Sequence, residues 1–216
     1  MAVNYNVPVE GIAGELTRRI DAARAGDSPI VVGIDGPGGA GKTTLAESLA
    51  DTLKRCLIVP TDDFRRPPEG RIRRFLEVCD PGWDYDLERL RDQVLEPARR
   101  GLAVRWQRFD WQADKLGVWV DRPAAPVVLV EGVFTLHTVL RDYCGFKVWV
   151  GASRPLRLQR MVARGHGWPL AQYLLWITEE DRYLEVQHPD EAANVVLNSG
   201  GFASVEDAIA AAQTLA

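Results

Sequence analysis

The chain has 216 residues, 46% hydrophobic and 26% charged, a balance that fits one globular domain with a sizeable core. Its net charge of −4 argues against binding nucleic acid by bulk charge, and no apolar run approaches the roughly 20 residues of a membrane-spanning helix. Cys56, Cys79 and Cys144 are odd in number and far apart, and Met1–Asn6 lacks the basic and apolar regions of a secretory leader; the expectation is a cytoplasmic protein with reduced thiols.

In chain order, Val9 to Ala25 sets Ile12, Leu16, Ile20 and Ala23 at helical spacing and closes on Gly26-Asp27-Ser28-Pro29, which predicts a leading helix packed on a sheet. Pro29-Ile30-Val31-Val32-Gly33-Ile34-Asp35 is a short apolar run, the pattern of a buried strand. It leads straight into Gly36-Pro37-Gly38-Gly39-Ala40-Gly41-Lys42-Thr43, a match to G-x-x-x-x-G-K-[ST]. Leu45, Leu49 and Leu53 then recur four apart and predict a helix that begins at Thr43-Thr44. Strand, glycine-rich turn and helix in this order form the setting of a phosphate-binding loop, or P-loop.

The residue types suit that chemistry. Gly36, Gly38, Gly39 and Gly41 let successive backbone N–H groups turn inward, with Ala40 between them, and the helix opening at Thr43-Thr44 presents further unpaired N–H groups to the same anion. Lys42 supplies a mobile charge for the β- and γ-phosphates, and the Thr43 hydroxyl suits Mg²⁺. A plain turn joining a strand to a helix needs neither of these two side chains.

Cys56-Leu57-Ile58-Val59-Pro60 predicts a second strand, set beside the P-loop strand and ending in Thr61-Asp62-Asp63-Phe64. Carboxylates at the carboxyl end of such a strand lie where open α/β sheets bind ligands. Residues 65–74 are rich in Arg and turn-formers and read as an irregular excursion. Asp80–Asp86 is a turn, Asp86 or a neighbour caps a helix from Leu87 to Arg100, and Gly101 ends it. Val104–Trp111 and Gly117–Val120 read as a strand hairpin, so residues 65–122 form an insertion carried on the main sheet. Pro126–Gly132 is the clearest buried strand and ends in Glu131. A short helix over Leu136–Tyr143, a strand over Phe146–Val150 and a helix over Arg154–Arg164 follow, the last with Arg157, Arg160 and Arg164 on one face. Leu170–Val186 predicts a longer helix, Ala193–Asn198 a final strand, and Ser204–Leu215 a closing helix capped by Ser204. Strands alternating with helices predict a three-layer α/β/α domain over residues 1–216 with a mostly parallel sheet, the P-loop NTPase fold.

Several stations now stand in order: Gly36–Thr43, Asp62-Asp63-Phe64, Trp83-Asp84, Phe109-Asp110-Trp111, Glu131-Gly132-Val133-Phe134 and Arg157-Leu158-Gln159-Arg160. On these residues, over roughly Ser28 to Gly201, the chain resembles the uridine kinase-like branch of P-loop kinases, which also includes phosphoribulokinase and bacterial pantothenate kinase. The resemblance implies a kinase that uses ATP and Mg²⁺ to phosphorylate a hydroxyl of a small metabolite, with nucleosides among the acceptors. It implies Asp62 as the general base, Asp63 being the alternative, and Thr43, Glu131 and Asp62 around the metal. It also implies that Arg157 and Arg160 act as catalytic cations with Lys42, on a lid spanning about 154–168, with Arg164 at its acceptor end. Asp84 and Trp83, in the 65–122 insertion, match residues that hold acceptor hydroxyls.

Departures bear on the acceptor. Phe109 and Asp114 stand where uridine kinases carry a Tyr and a His that help hold the nucleoside. A phenyl ring cannot hydrogen-bond, and a carboxylate has the opposite preference to an imidazolium. Trp83, Trp106 and Trp111 offer flat faces for a ring, with plain packing as the competing reading. His137, His166 and His188 have no zinc-ligand spacing. Two other classes compete. A GTPase-like switch would carry a guanine-reading Asn-Lys-x-Asp, and this chain has none. A nucleotide-binding regulatory or degenerate P-loop protein would have lost the acceptor chemistry. The implied partner is a small-molecule acceptor, and homo-oligomerisation stays open.

Overall fold

Two apolar strands organise the molecule. Ile30–Asp35 (β2) and Val127–Glu131 (β6) are buried at every position, because successive side chains point to opposite faces of a sheet that is covered on both. With Val3–Tyr5 (β1), Cys56–Pro60 (β3), Phe146–Gly151 (β7) and Val195–Asn198 (β8) they form a six-stranded sheet in the order β1-β8-β7-β2-β6-β3. Every pairing in it is parallel. This computed structural model describes residues 3–5, 12–71, 80–164 and 167–199. The closing helix expected over Ser204–Leu215, the start of the first helix at Val9, Cys79, His166 and residues 72–74 lie outside them.

On one face, Ile30, Val32, Ile34, Leu129 and Val148 pack against Leu16 and Ile20 of helix Ala13–Ala23 and against Leu45 and Leu49 of helix Lys42–Leu53. On the other, Val31, Val59, Val128 and Val130 meet Phe64, Leu90, Val94, Phe134, Leu136 and Tyr183. Each fully buried Val, Leu or Ile contributes about 1.5–3 kcal/mol, so the two clusters hold the sheet between both helical layers. The three-layer α/β/α architecture expected from the sequence is the one observed.

Four details differ from the sequence reading. The strand ending at Pro60 is not beside the P-loop strand: β6 lies between them, pairing with β2 and with β3. Leu136–Tyr143 is a chain of turns closed by a 3₁₀ turn at Arg141–Tyr143. Side chains take the N–H groups of this segment: Asp35 accepts from Leu136, Gln187 from Thr138 and the His137 ring from Val139. Such bonds compete with regular helix. Gly33 allows the segment to lie close, since a Cβ there would stand 2.8 Å from Cys144 Sγ and 2.9 Å from Leu136 Cδ2. The helix from Leu87 continues to Arg99 through a π turn at Arg91–Leu95, just before Pro97, which has no N–H to donate. Finally, Val3–Tyr5 adds a short edge strand that had no signal in three residues of mixed polarity.

The expected hairpin is present as Val104–Asp110 (β4) and Lys115–Arg122 (β5). Its turn is shaped by Asp110 Oδ1, which accepts from the N–H groups of Gln112 and Ala113, and by Asp114 in left-handed conformation.

Candidate active site

Parallel register brings the carboxyl ends of three neighbouring strands together: Ile34 pairs with Glu131, and Glu131 with Pro60. The P-loop, Glu131 and the Thr61–Phe64 turn therefore leave one edge of the sheet side by side, the edge at which parallel α/β sheets bind ligands.

The P-loop backbone follows from its glycines. Gly36 has φ +146, and a Cβ there would stand 2.0 Å from the Val150 carbonyl oxygen; at Gly39, φ is +76 and the same atom would stand 2.7 Å from the Arg157 carbonyl oxygen. Only glycine fits either place. Gly41, also left-handed, precedes the helix at Lys42. Lys42 is buried, with Nζ donating to the Pro37 carbonyl at 3.0 Å, and Thr43 and Thr44 are exposed on the first turn.

Beneath the loop sits a residue the sequence reading passed over. Asp35 is fully buried and accepts from Gly36 N–H at 2.6 Å, Leu136 N–H at 2.7 Å and the Tyr183 hydroxyl at 2.7 Å. It ties the loop entry to the turn after β6 and to helix Leu170–Gln187. Burial pushes its carboxyl up to about 6, against the pull of those three donors. The available signal was an acid closing an otherwise apolar strand.

Thr43 Oγ1 donates toward the Glu131 carboxylate at 3.3 and 3.4 Å. Burial pushes the Glu131 carboxyl up, the Asp62 charge adds to the shift, and Lys42 and Thr43 pull against it. A hydroxyl beside two acidic side chains that repel one another is a hard oxygen set that suits Mg²⁺. No group of three or more His, Cys, Asp or Glu able to hold a metal occurs among the described residues. A metal here would thus complete its shell with water and phosphate oxygens, the usual habit of Mg²⁺.

Asp62 and Asp63 part company in the structure. Asp63 is buried; its Oδ2 accepts from Trp106 Nε1 at 2.8 Å, its Oδ1 from Arg108 at 3.1 Å, and its carbonyl from Arg89 at 3.0 Å. It fastens the β4–β5 hairpin to the end of β3. Asp62 is exposed, and its Oδ1 accepts from the buried Tyr85 hydroxyl at 3.1 Å.

The wall beyond Asp62 is charged. Arg65 Cζ lies over the Trp111 ring, 4.5 Å from its centroid; the side chain meets Asp84 at 3.7 Å, and its buried Nε has no hydrogen-bond partner among the described residues. Burial pushes the Asp84 carboxyl up, Arg65 pulls it down, and Glu179 adds to the rise. Trp83 is half-buried next to it. Phe109 is buried edge-on to Trp111, and Asp114 is held in a two-bonded fork by Arg71 at 2.9 and 2.7 Å, which keeps its carboxyl below the ordinary range. Of the three tryptophans weighed as stacking faces, Trp106 is core: 3% exposed, its N–H spent on Asp63.

Helix Arg154–Ala163 rests against the outside of the P-loop. The Arg157 guanidinium is buried between Glu180 at 2.5 Å and Asp181 at 3.2 Å, and Arg160 donates to the Gly39 carbonyl and to Ser199 Oγ, both at 3.1 Å. Ser199 in turn donates to the Ala40 carbonyl. Arg164, at the exposed end of the helix, lies near enough to Glu131 to lower its carboxyl.

This sheet, with a glycine cradle between strand and helix and acids on the neighbouring strand ends, defines a protein of the P-loop NTPase fold. No family model matches the chain. It is 27% identical over 165 residues to uridine kinase-like protein 3 of Arabidopsis thaliana, covering 72% of this chain and 35% of that one. It is 26% identical over 140 residues to a uridine kinase of Staphylococcus aureus, covering 62% and 67%. A possible uridine kinase from Bacillus stearothermophilus superposes with a TM-score of 0.66 at 23% identity, over 88% of this chain and 98% of that one. The chain is thus similar to uridine kinases at low identity, and it spans about a third of the length of the Arabidopsis relative. Among the described residues no helix is long and apolar enough to cross a membrane.

Proposed function

We propose that the chain transfers the γ-phosphoryl group of ATP to a hydroxyl of a small metabolite, with nucleosides first in line. The observation that carries this reading is the convergence of Lys42, Thr43, Glu131 and Asp62 at the carboxyl ends of β2, β6 and β3. In the step, a bond forms between the acceptor oxygen and phosphorus as the bond from phosphorus to the ADP oxygen breaks, and the hydroxyl proton passes to the Asp62 carboxylate.

The P-loop amides from Gly36 to Thr44 would hold the phosphates, and Lys42 would neutralise charge on the oxygens around the transferred group. Thr43 and Glu131 would hold Mg²⁺, with Asp62 nearby; bound there, the ion supplies positive charge to the phosphate oxygens. The Tyr85 hydroxyl donates to Asp62 Oδ1 and would orient its carboxylate. Asp84 would accept from acceptor hydroxyls beside Trp83, within the 65–122 insertion. Arg157, Arg160 and Arg164, on the lid over about 154–168, would bring cations to the phosphates and keep water away.

Which acceptor is used turns on the charged wall. Phe109 is packed against Trp111 and Asp114 is engaged by Arg71, so the two positions offer a nucleobase no neutral polar partner. That favours screening beyond uridine. Purified protein with ATP, Mg²⁺ and a panel of nucleosides, pantothenate and sugars should release ADP only with the right acceptor, which gains the mass of one phosphoryl group. ADP release equal with and without every acceptor would refute the kinase reading, and ATP binding with no turnover on the whole panel would favour a regulatory nucleotide-binding protein.

A further inference from the structure

Glu180 lies in helix Leu170–Gln187, yet its carboxylate reaches the P-loop. Oε1 accepts from Gly38 N–H at 2.9 Å, Oε2 accepts from Arg157 at 2.5 Å, and the side chain is 7% exposed. Its seat is close: a Cβ at Gly38 would stand 3.0 Å from Oε1 and 2.9 Å from Met161 Sδ. Lys42 also attracts it. An unpaired carboxylate at this depth would be costly. Its compensation comes from a P-loop amide, an arginine and the P-loop lysine, the same set of donors that a nucleotide phosphate would seek.

Arg157 is correspondingly committed. Its two terminal nitrogens serve Glu180 and Asp181, and its buried Nε has no hydrogen-bond partner among the described residues. Helix Leu170–Gln187 itself is pinned three residues further on, where Tyr183 donates to Asp35. A change at Glu180 is therefore a swing of one side chain about a fixed backbone.

We propose that Glu180 is a resident anion of the phosphate cradle. Its carboxylate competes with the terminal phosphates of a nucleotide for Gly38 N–H and Arg157. Binding of a triphosphate expels it and frees Arg157 to turn toward the phosphates. Glu180 thereby lowers the affinity for ATP by the factor with which it occupies the seat, and couples nucleotide arrival to the release of a lid cation. The inference rests on the P-loop reading above.

Calorimetry of the purified full chain with ATP and with AMP, each with Mg²⁺, tests it. Glu180→Gln keeps an oxygen for Gly38 but has no charge to hold Arg157; its ATP affinity should rise about tenfold, with AMP affinity unchanged. Asp181→Asn loosens Arg157 from its other side while leaving Glu180 in place, and should change ATP affinity far less. If Glu180→Gln loses its thermal unfolding transition, Glu180→Asp, which keeps the charge but withdraws it from Gly38, should shift ATP affinity the same way. A parent that binds ATP no more weakly than either Glu180 variant overturns this inference alone. So does an equal gain for AMP, or an equal gain in Asp181→Asn. A parent that binds no ATP overturns the P-loop reading, and this inference with it.

Discussion

The buried Tyr85 hydroxyl donates to Asp62 Oδ1 at 3.1 Å, the one hydrogen bond to this exposed carboxylate among the described residues. Tyr85 is itself fixed by ring contact with Phe134 at 5.5 Å and by its backbone bridge to Arg65. The proposed role of Asp62 as base can be tested without disturbing the fold, because its side chain is exposed. Asp62→Asn should lower kcat by about 10²–10⁴-fold with ATP affinity intact, and Tyr85→Phe by about tenfold. Steady-state rates with the acceptor found in the screen check this; an Asp62→Asn enzyme as fast as the parent removes Asp62 from the role.

Asp63 should behave in the opposite way. Its loss leaves the buried Trp106 N–H without an acceptor, which costs about 1–3 kcal/mol. Arg108, whose side chain is 56% exposed, adds little because solvent screens the pair. Asp63→Ala should therefore lose about 2 kcal/mol in urea unfolding. A midpoint unchanged from the parent would mean the hairpin is held by its apolar contacts alone.

Lys42→Ala should cost at least about 10²-fold in turnover, the scale of removing one charge-stabilising donor. Folding should be little affected, because Nζ donates to the Pro37 carbonyl and makes no ion pair within 4 Å among the described residues. Comparing turnover with the thermal unfolding midpoint separates the two effects, and a variant that loses both in proportion would speak for a structural lysine.

Asp35 predicts a pH dependence of stability. Its carboxyl, at 3.8 when unfolded, rises to about 6 in the fold. The folded state thus binds the proton more tightly, and the stability from this group is fully present below about 3.8 and lost as pH climbs through about 6. By about 1.4 kcal/mol per unit the loss is on the order of 3 kcal/mol. Glu131, Asp84 and Glu180 are raised too, also by burial, and slope the same way. Asp35→Asn should flatten part of the decline in urea midpoint between pH 4 and 7 rather than abolish it. An identical slope in parent and variant would assign the whole effect to the other three.

What could be read from the residues alone is what depends on near neighbours in sequence. Gly36–Thr43 announces its own geometry, because a run of backbone amides, a lysine and a threonine within eight positions is all that a phosphate cradle needs. Val127–Glu131 announces a buried strand with an acid at its end for the same reason. The choice between Asp62 and Asp63 had no such signal: they are adjacent, and it was Trp106 and Arg108, 43 and 45 residues downstream, that claimed one of them. Leu136–Tyr143 has helical spacing, yet Asp35 and Gln187, 101 and 49 positions away, take N–H groups in the segment. The insertion of β6 between β2 and β3 and the reach of Glu180 across 142 positions to Gly38 are likewise facts of pairing between distant segments. Spacing along a chain encodes which face a side chain takes; it does not encode which distant donor will meet it, and only folding brings the two together.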